Sequence, residues 1–470
     1  MKTYQDFEKA CASEREQGNF LLSAVNEHRA SDAYRKAKAG MAYYNKHNIT
    51  MEKYQKFLYT LSGNKIEDVF SSNYKLKTLM FRRLVMQQVQ YVLGNGLQMD
   101  RKEKLGKDID FKLQEAAKMA LAQGVGYAFW NFDHVEIFSF ADDVDVPGFV
   151  PLKDEKTSAV KAGIRYWFRN VGNNVVFRAT LYEEDGISEW VKEGDEKDVK
   201  LMAAKRSYIR TISTDSTGIV DETESNYGVL PIAQLWGNDT HESELVGIRE
   251  KIDCYDFIES GLANTIDDTS GFYWILRNAG GMDDVDLSQF IQRIKTVKAA
   301  TVDSEDGSAA EAHTFDVPYE SRKAMLEILR HDIYEDFQML DVSLISGTEK
   351  TATEIQAAYQ SQDNKCADFE YMLIDFVQQI ASIAGIADAE PKFVWNKIIN
   401  RSEETQMVLS AANYLDDETI LRYLPFVSTD DIDNILKKLD TGNMQRMGVN
   451  YINRNQNDVI EPENDDDAEE

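Results

Sequence analysis

From Leu245 the apolar residues fall at Ile248, Ile252, Tyr255, Ile258, Leu262 and Ile266, steps of three and four that draw one stripe along a helix of about seven turns. The opposite face carries Glu250, Asp253, Asp256, Glu259, Asp267 and Asp268, and Asp268-Thr-Ser-Gly271 supplies the turn residues that end the helix. A second stripe, Met325, Leu329, Ile333, Phe337 and Leu340, runs along a returning helix from Tyr319 to Leu340, with Glu327, Asp332, Glu335 and Asp336 outward. Two one-sided, acid-backed helices predict a stalk. One narrow apolar stripe needs neighbours, which a ring of identical subunits would supply. The stalk brackets a small α/β insertion with strand-like sequence at Phe272-Tyr-Trp-Ile-Leu276, Ala299 to Val302 and His313 to Val317, and a short helix from Leu287 to Val297. At such a tip Phe272 and Trp274 are either core or partner contacts. Beyond the stalk, residues 341–350 have no period. Thr351-Ala-Thr-Glu354 is a capping box opening a long helix with Ile355, Tyr359, Gln362, Cys366, Phe369, Leu373, Phe376, Ile380 and Ile383 at near-heptad spacing.

The region before the stalk changes period. Asn26 to Lys46, Met51 to Leu61, Tyr74 to Leu93 and Phe111 to Gln123 read as helices, the last two closed by Gly94-Asn-Gly96 and Gly124-Val-Gly126. From Tyr127 the period is two: segments around Phe129 to Phe138, Ala162 to Phe168, Val175 to Leu181, Ile187 to Val191, Ser207 to Ile212 and Leu230 to Trp236 read as strands between Asp, Gly and Asn turns. An antiparallel sheet beside helices makes the class α+β. After the long helix, shorter helices are expected near Ser402 to Tyr414, Glu418 to Leu424 and Asp430 to Leu439. The run Glu461-Pro-Glu-Asn-Asp-Asp-Asp-Ala-Glu-Glu470 carries too little apolar surface to fold.

Charge narrows the function classes. Against 52 Lys and Arg stand 81 Asp and Glu, a formal charge of −29, which opposes a surface that grips nucleic acid by neutralising phosphates. Cys11, Cys254 and Cys366 are widely spaced and read as small core residues of a reduced compartment rather than a disulfide framework. No apolar run reaches the length of a membrane span, and the first residues lack a signal-peptide core. Gly347-Thr-Glu-Lys350-Thr351 puts Glu349 where a phosphate-binding loop needs glycine. Neither glycine pair has the third glycine of a dinucleotide site. The turn Asp303-Ser-Glu-Asp-Gly307 departs from calcium-loop spacing, and His28, His47, His134, His241, His313 and His331 never pair at zinc-helix spacing. No catalytic residues, metal or cofactor are expected.

Several segments in order carry a resemblance. Ala42-Tyr-Tyr-Asn-Lys-His-Asn-Ile49, Gln90-Tyr-Val-Leu-Gly-Asn-Gly96, Gln123-Gly-Val-Gly-Tyr-Ala-Phe129 through Asp133, Ala162-Gly-Ile-Arg-Tyr-Trp167, Leu230-Pro-Ile-Ala-Gln-Leu-Trp-Gly-Asn238, and Leu415-Asp-Asp-Glu-Thr-Ile-Leu421 with Leu424-Pro-Phe-Val427 are similar to segments of tailed-bacteriophage portal proteins. The chain resembles in particular the branch from phages with long non-contractile tails. Asp416 or Asp417 stands where that family often places Ser, exchanging one helix cap for another.

The resemblance implies a portal architecture: a wing of helices and an antiparallel sheet at 1–240, stem helices at 241–270 and 319–340, and a small α/β clip at 271–318. It further implies a tunnel loop at 341–352, a long wing helix at 353–390, a helical crown at 391–455 and an acidic disordered tail at 456–470. It implies a homo-oligomeric ring of about twelve copies at a capsid vertex, made in the host cytoplasm, with no membrane partner. Double-stranded DNA would pass inward under the terminase large subunit and outward at ejection. Major capsid, scaffolding and head-completion or adaptor proteins would be the other partners. Leu344, Ile345, Ser346, Gly347, Thr348 and Lys350 become the tunnel-loop candidates for touching DNA, Phe272 and Trp274 the clip contacts, and Glu327, Asp332, Glu335 and Asp336 the tunnel lining. An acidic wall would keep phosphates, about one per 1.7 Å of axis, from sticking. The alternatives are a negative surface that serves solubility alone, a passive structural ring or adaptor without DNA contact, and, more weakly, a terminase-like enzyme, which Glu349 opposes.

Overall fold

The structure, a computed structural model, describes residues 2–59, 63–68, 71–172, 174–194, 196–214, 220–269, 273–277, 309–313, 319–344 and 352–397, with short stretches among 405–438. The chain forms two compact units, Met1–Asn396 and Lys397–Glu470.

The first unit opens with helices α1 (Tyr4–Ala10), α2 (Glu14–Ala30), α3 (Asp32–Tyr44) and α4 (Ile49–Lys53). The single helix expected from Asn26 to Lys46 is broken at Ser31, whose extended backbone lets its hydroxyl accept the Tyr34 N–H at 3.2 Å. The helix expected from Met51 to Leu61 stops at Lys53, and strand β1 (Phe57–Tyr59) pairs with β2 (Lys65–Glu67). Helix α5 begins only at Met80 and runs to Leu93; residues 72–79 before it are neither helix nor strand. Strand β3 (Leu97–Gln98) and a 3₁₀ turn (Lys102–Leu105) lead to α6 (Ile109–Gln123). Gly40 lets α3 lie against the end of α6, since a Cβ there would sit 1.8 Å from the Ala122 carbonyl oxygen. A Gly40→Ala chain is expected to lose about 2 kcal/mol as the helices are forced apart, readable as a lower urea midpoint.

Two antiparallel sheets follow where one was expected. Strands β4 (Val125–Asn131), β5 (His134–Phe138) and β13 (Ile232–Trp236) form a three-stranded sheet in the order β13-β4-β5. Between them β6 (Gly148–Lys153), β7 (Val160–Val171), β8 (Asn174–Glu183), β9 (Gly186–Lys192) and β10 (Lys200–Arg206) make a five-stranded meander, and β11 (Ile209–Thr214) with β12 (Val220–Ser225) a hairpin. Strands β6, β10 and β12 escape the sequence reading. β6 is buried along most of its length and shows no alternation, as a strand covered on both faces must; β10 is largely exposed at the edge of its sheet and β12 is polar.

The meander packs on α1 and α2 through Phe7, Phe20, Leu21 and Val25 against Val150, Ile164 and Trp190. The largest core gathers α5, α6 and a long helix (Ala352–Ile383) with the bases of two further helices, α7 (Arg249–Thr269) and α8 (Tyr319–Asp336). Numbered in chain order, the long helix is α9. It stops short of residue 390, where Gly385 takes φ +74. Strand β14 (Tyr273–Arg277) pairs antiparallel with β15 (Ala309–His313), and β16 (Lys392–Phe393) with β3. In the second unit α10 (Asp417–Tyr423) is N-capped by Asp416, which accepts the Thr419 N–H at 3.2 Å. Of the cysteines only Cys366 is a core residue; Cys11 is exposed and Cys254 half-buried.

Candidate functional site

Helices α7 and α8 run antiparallel, as the two stripes predict. Lys251 near the start of α7 bridges to Asp336 at 2.6 Å and Asp332 at 3.8 Å near the end of α8. Further along, Arg322 of α8 donates to the Gly261 carbonyl at 3.1 Å and to Thr265 Oγ1 at 2.9 Å. Ile248, Ile252, Leu329 and Ile333 are buried, and Ile248, Ile252 and Ile333 belong to the core shared with the body. Met325 and Ile328 stay 40% and 54% exposed, an apolar strip left on the outside of α8.

The polar face of α7 is not a solvent face. Asp256, Ser260 and Asn264 are buried, and they hold the extended segment that precedes α5. Asp256 accepts the Thr78 N–H at 2.9 Å, Ser260 the Leu76 N–H at 3.0 Å, and Asn264 the Tyr74 N–H at 2.6 Å while donating back to the Tyr74 carbonyl at 3.3 Å. Asp267 receives the Ser72 hydroxyl. Four helical residues rise ~6 Å and two extended residues ~6.6 Å, so every fourth helix position meets every second residue of the segment. The helix side chains thus act as an antiparallel strand partner. Asp253 is likewise turned inward, accepting from Tyr43 and, at 2.7 Å, from Thr50. The expectation that Asp253 and Asp256 belong to an outward acidic back is therefore corrected, whereas Glu250 and Asp267 are exposed as expected. The spacing is helical, but Asp256 satisfies a backbone donor of the body and Asp253 two hydroxyls.

Burial pushes the Asp256 carboxyl up to about 6, against the hydrogen bonds from Thr78 and Asn48 that favour its charged form. Glu259, half-buried one turn on, is also raised by burial.

The foot of the pair is fastened twice. Lys365 of α9 reaches Glu244 Oε2 at 2.6 Å and the Phe337 carbonyl at 2.9 Å, with its ammonium 3.8 Å from the Phe337 ring centre. Helix α8 ends at Asp336, four residues before the expected Leu340. Arg330 then clamps Asp341 through two 2.9 Å hydrogen bonds, and Ser343 adds two more. Burial acts on Asp341 most strongly and upward, but Ser343 and Arg330 together outweigh it and hold the carboxyl below its usual range.

The acids of α8 divide into two pairs. Glu327 and Glu335 are 70% and 67% exposed and sit beside Lys323 and His331 of their own helix, whereas Asp332 and Asp336 face Lys251. Leu344 ends a 3₁₀ turn (Val342–Leu344); Ile345, Ser346, Gly347, Thr348 and Lys350 lie outside the described residues, as does Phe272. Trp274 is a β14 backbone position paired with Ala312. Most of 271–318, most of 391–455 and the tail 456–470 are also outside them. Among the described residues no group of three or more His, Cys, Asp or Glu is placed to hold a metal ion, and no helix is long and apolar enough to cross a membrane. The Asp256 ladder was missed by sequence reasoning, although Asp256, Ser260 and Asn264 at steps of four on a supposedly solvent face were the available signal.

Comparison with known proteins bears on what this helix pair belongs to. Residues 24–444 match the family model described as phage portal protein, SPP1 Gp6-like. The chain belongs to this family. It is 24% identical over 221 residues to the portal protein of Clostridium phage phiCD119, a match covering 46% of this chain and 49% of the relative. It is 21% identical over 314 residues to the portal protein of Bacillus phage SPP1, covering 65% and 60%. The portal chain thus spans about half to three fifths of the curated relatives it matches. Among solved structures, the neck of an empty gene transfer agent particle overlaps with a TM-score of 0.40 at 12% identity, covering 75% of this chain and 91% of that one. A HK97 family phage portal protein from Corynebacterium diphtheriae overlaps at 0.31 and 11%, covering 67% and 91%. Overlaps this loose are likeness only, and no feature of those particles is carried across.

Proposed function

We propose that this portal chain assembles, in about twelve copies, into a ring at one capsid vertex, and that α7 and α8 form a stem around a channel for double-stranded DNA. Terminase would drive the DNA in, and ejection would let it out. The supporting observation is the antiparallel helix pair, rooted in the body by buried polar contacts, within a chain whose family match runs through both helices. On this reading 1–240 with 353–390 is the wing, 241–270 and 319–340 the stem, and 271–318 the clip. That clip, with Phe272 and Trp274, would dock terminase and then head-completion or adaptor proteins. Residues 391–455 are the crown, and 341–352, with Leu344, Ile345, Ser346, Gly347, Thr348 and Lys350, the tunnel loop. Capsid and scaffolding proteins would meet the ring's outer edge. The exposed strip of Met325 and Ile328 suits contact with the next subunit. The chemistry is passive: no residue here is assigned a catalytic role.

Glu327, Asp332, Glu335 and Asp336 are the proposed channel lining. Acid on the wall repels phosphates and prevents the counterion-releasing contacts that would stall a moving duplex. The ion pairs define the clean test. Glu327→Lys with Glu335→Lys reverses charge at exposed positions whose pairs contribute about 0–1 kcal/mol, whereas Asp332 and Asp336 also hold Lys251. The double reversal is expected to leave rings intact in negative-stain images and to lower the fraction of particles filled with full-length DNA several-fold. Intact rings with normal filling would remove the acidic lining from the proposal. Native mass spectrometry of the purified chain tests the ring itself. A compact dimer without a central hole would favour a passive adaptor.

A further inference from the structure

A cavity of about 420 Å³ opens between the N-terminal helices, the three-stranded sheet and the approach to α7. Its apolar wall is made by Val125, Tyr127, Phe140 and Pro151, and its floor by Trp236. His241 lies flat on the Trp236 indole, ring centres 3.7 Å apart and planes within 14°. That residue holds a left-handed backbone, φ +58, which costs a non-glycine side chain free energy and is retained where the surroundings fix it. Lys153 projects over the same indole, its ammonium 4.9 Å from the ring centre.

This lysine is the anomaly. The chain carries 81 acidic residues, and Lys36 at the rim pairs with Glu242 at 2.6 Å and Asp32 at 3.1 Å. Among the described residues Lys153 has no carboxylate within ion-pair distance. Neighbouring Asp154 has its carboxylate occupied by the Lys156 and Thr157 N–H groups and by Gln5. Burial depresses the Lys153 ammonium. Burial also depresses His241, with the Lys153 charge acting the same way and Asp239 opposing it. Asp154, Glu155 and Glu242 also line the cavity, but they are engaged by Gln5, Thr3 and Lys36, and none pairs with the half-buried Lys153 ammonium, which leaves that cation open to an anion.

We propose that this cavity is a binding site for a small organic anion, a flat apolar body that enters between Trp236 and the Phe140 wall and carries one carboxylate to Lys153. The volume falls within the range of small-molecule pockets, ~300–1,000 Å³. On this reading the carboxylate on Lys153 sets the orientation and the rings supply the affinity. The same chemistry arrives either as a free aromatic acid or as an acidic and aromatic pair of side chains from a neighbouring copy.

The test uses the full-length chain and the imidazole signals of its six histidines, followed by NMR with indole-3-acetate and benzoate as probes and indole-3-acetamide as the neutral control. Either carboxylate should shift His241 selectively and raise its titration midpoint. The amide should bind at least tenfold more weakly. Lys153→Met should raise the His241 midpoint without ligand and weaken the carboxylates about tenfold, while Ala33→Trp, at an exposed rim position of α3, should block them without touching the charge. If assembly at high concentration shifts His241 with no probe present, and Ala33→Trp abolishes that shift, the occupant is a neighbouring copy. No response of His241 to either acid or to assembly, or equal binding of acid and amide, overturns the proposal.

Discussion

Asp256→Leu is expected to cost the folded chain about 3 kcal/mol or more, one of the two largest single-residue effects anticipated here. Leucine keeps the branched shape of the carboxylate with bulkier methyls in place of the oxygens, so some overpacking adds to the loss of polar pairing at this buried site. The Thr78 N–H, 2.9 Å from the carboxylate, and the buried Asn48 amide would both lose their acceptor in a place water does not reach, each at roughly 1–3 kcal/mol. Thr78 lies two residues before α5, so its release also frees the Leu76 and Tyr74 rungs. Hydrogen exchange should show faster exchange at Tyr74, Leu76 and Thr78 together. Faster exchange at Thr78 alone would mean the rungs are independent.

Asp256→Asn separates charge from pairing, and its pH dependence has a definite sign. The folded carboxyl is raised from 3.8 to about 6. Below pH ~4 both folded and unfolded states hold the proton and the site costs nothing. As pH rises from there to 6 the unfolded chain gives up its proton first, so stability falls by about 1.4 kcal/mol per unit and then levels off. The asparagine keeps an acceptor for Thr78 and has no proton to lose. Relative to the variant, the native chain should therefore weaken between pH 4 and 6, readable as converging and then crossing urea midpoints. Parallel midpoints across that window would show that Asp256 is charged throughout.

Sequence periodicity was enough to find the helix pair, its antiparallel return and its insertion, because each helix buries one narrow stripe and the 3.6 period survives intact. It failed on α7's other face for an instructive reason. Asp, Ser and Asn at steps of four look solvated in a linear reading, yet backbone is as polar as water, and an extended segment can lie where solvent was assumed. The same contacts explain the misplaced start of α5: Tyr74 to Thr78 have helical sequence, but their N–H groups are taken by Asn264, Ser260 and Asp256. Strand β6 was lost because burial on both faces erased its alternation. The resemblance found through Tyr43, Gly96, Gly126 and Leu230 was supported by the family match, whereas Lys153 and its cavity had no signature, since an unpaired charge is defined only by what fails to surround it in space.

Lys365→Met should cost about 3–5 kcal/mol, the range for removing one partner of a buried ion pair. Lys365 and Glu244 are each only 12% exposed. Without the ammonium, Glu244 keeps a single side-chain donor, Asn238 at 2.9 Å, and the Phe337 carbonyl loses its 2.9 Å partner. Methionine fills much the same volume and retains contact with the Phe337 ring, which isolates the charge effect. The damage is directional. Glu244 stands just before α7 and Phe337 just after α8, so one side chain from the middle of α9 gathers both ends of the stem pair at a single point. Unpairing it should loosen the foot of both helices while leaving the Arg322 contacts further along intact. Adding Glu244→Gln removes the uncompensated charge, keeps an acceptor for Asn238, and should restore at least half of the lost stability. A double-mutant cycle by urea denaturation measures both steps. A loss under about 1 kcal/mol for Lys365→Met would place this pair with exposed surface pairs, leaving the apolar contacts of Ile248, Ile252, Ile333 and Phe337 to fix the stem alone. A full loss with rescue would mean that the stem's angle on the body is set by one buried charge.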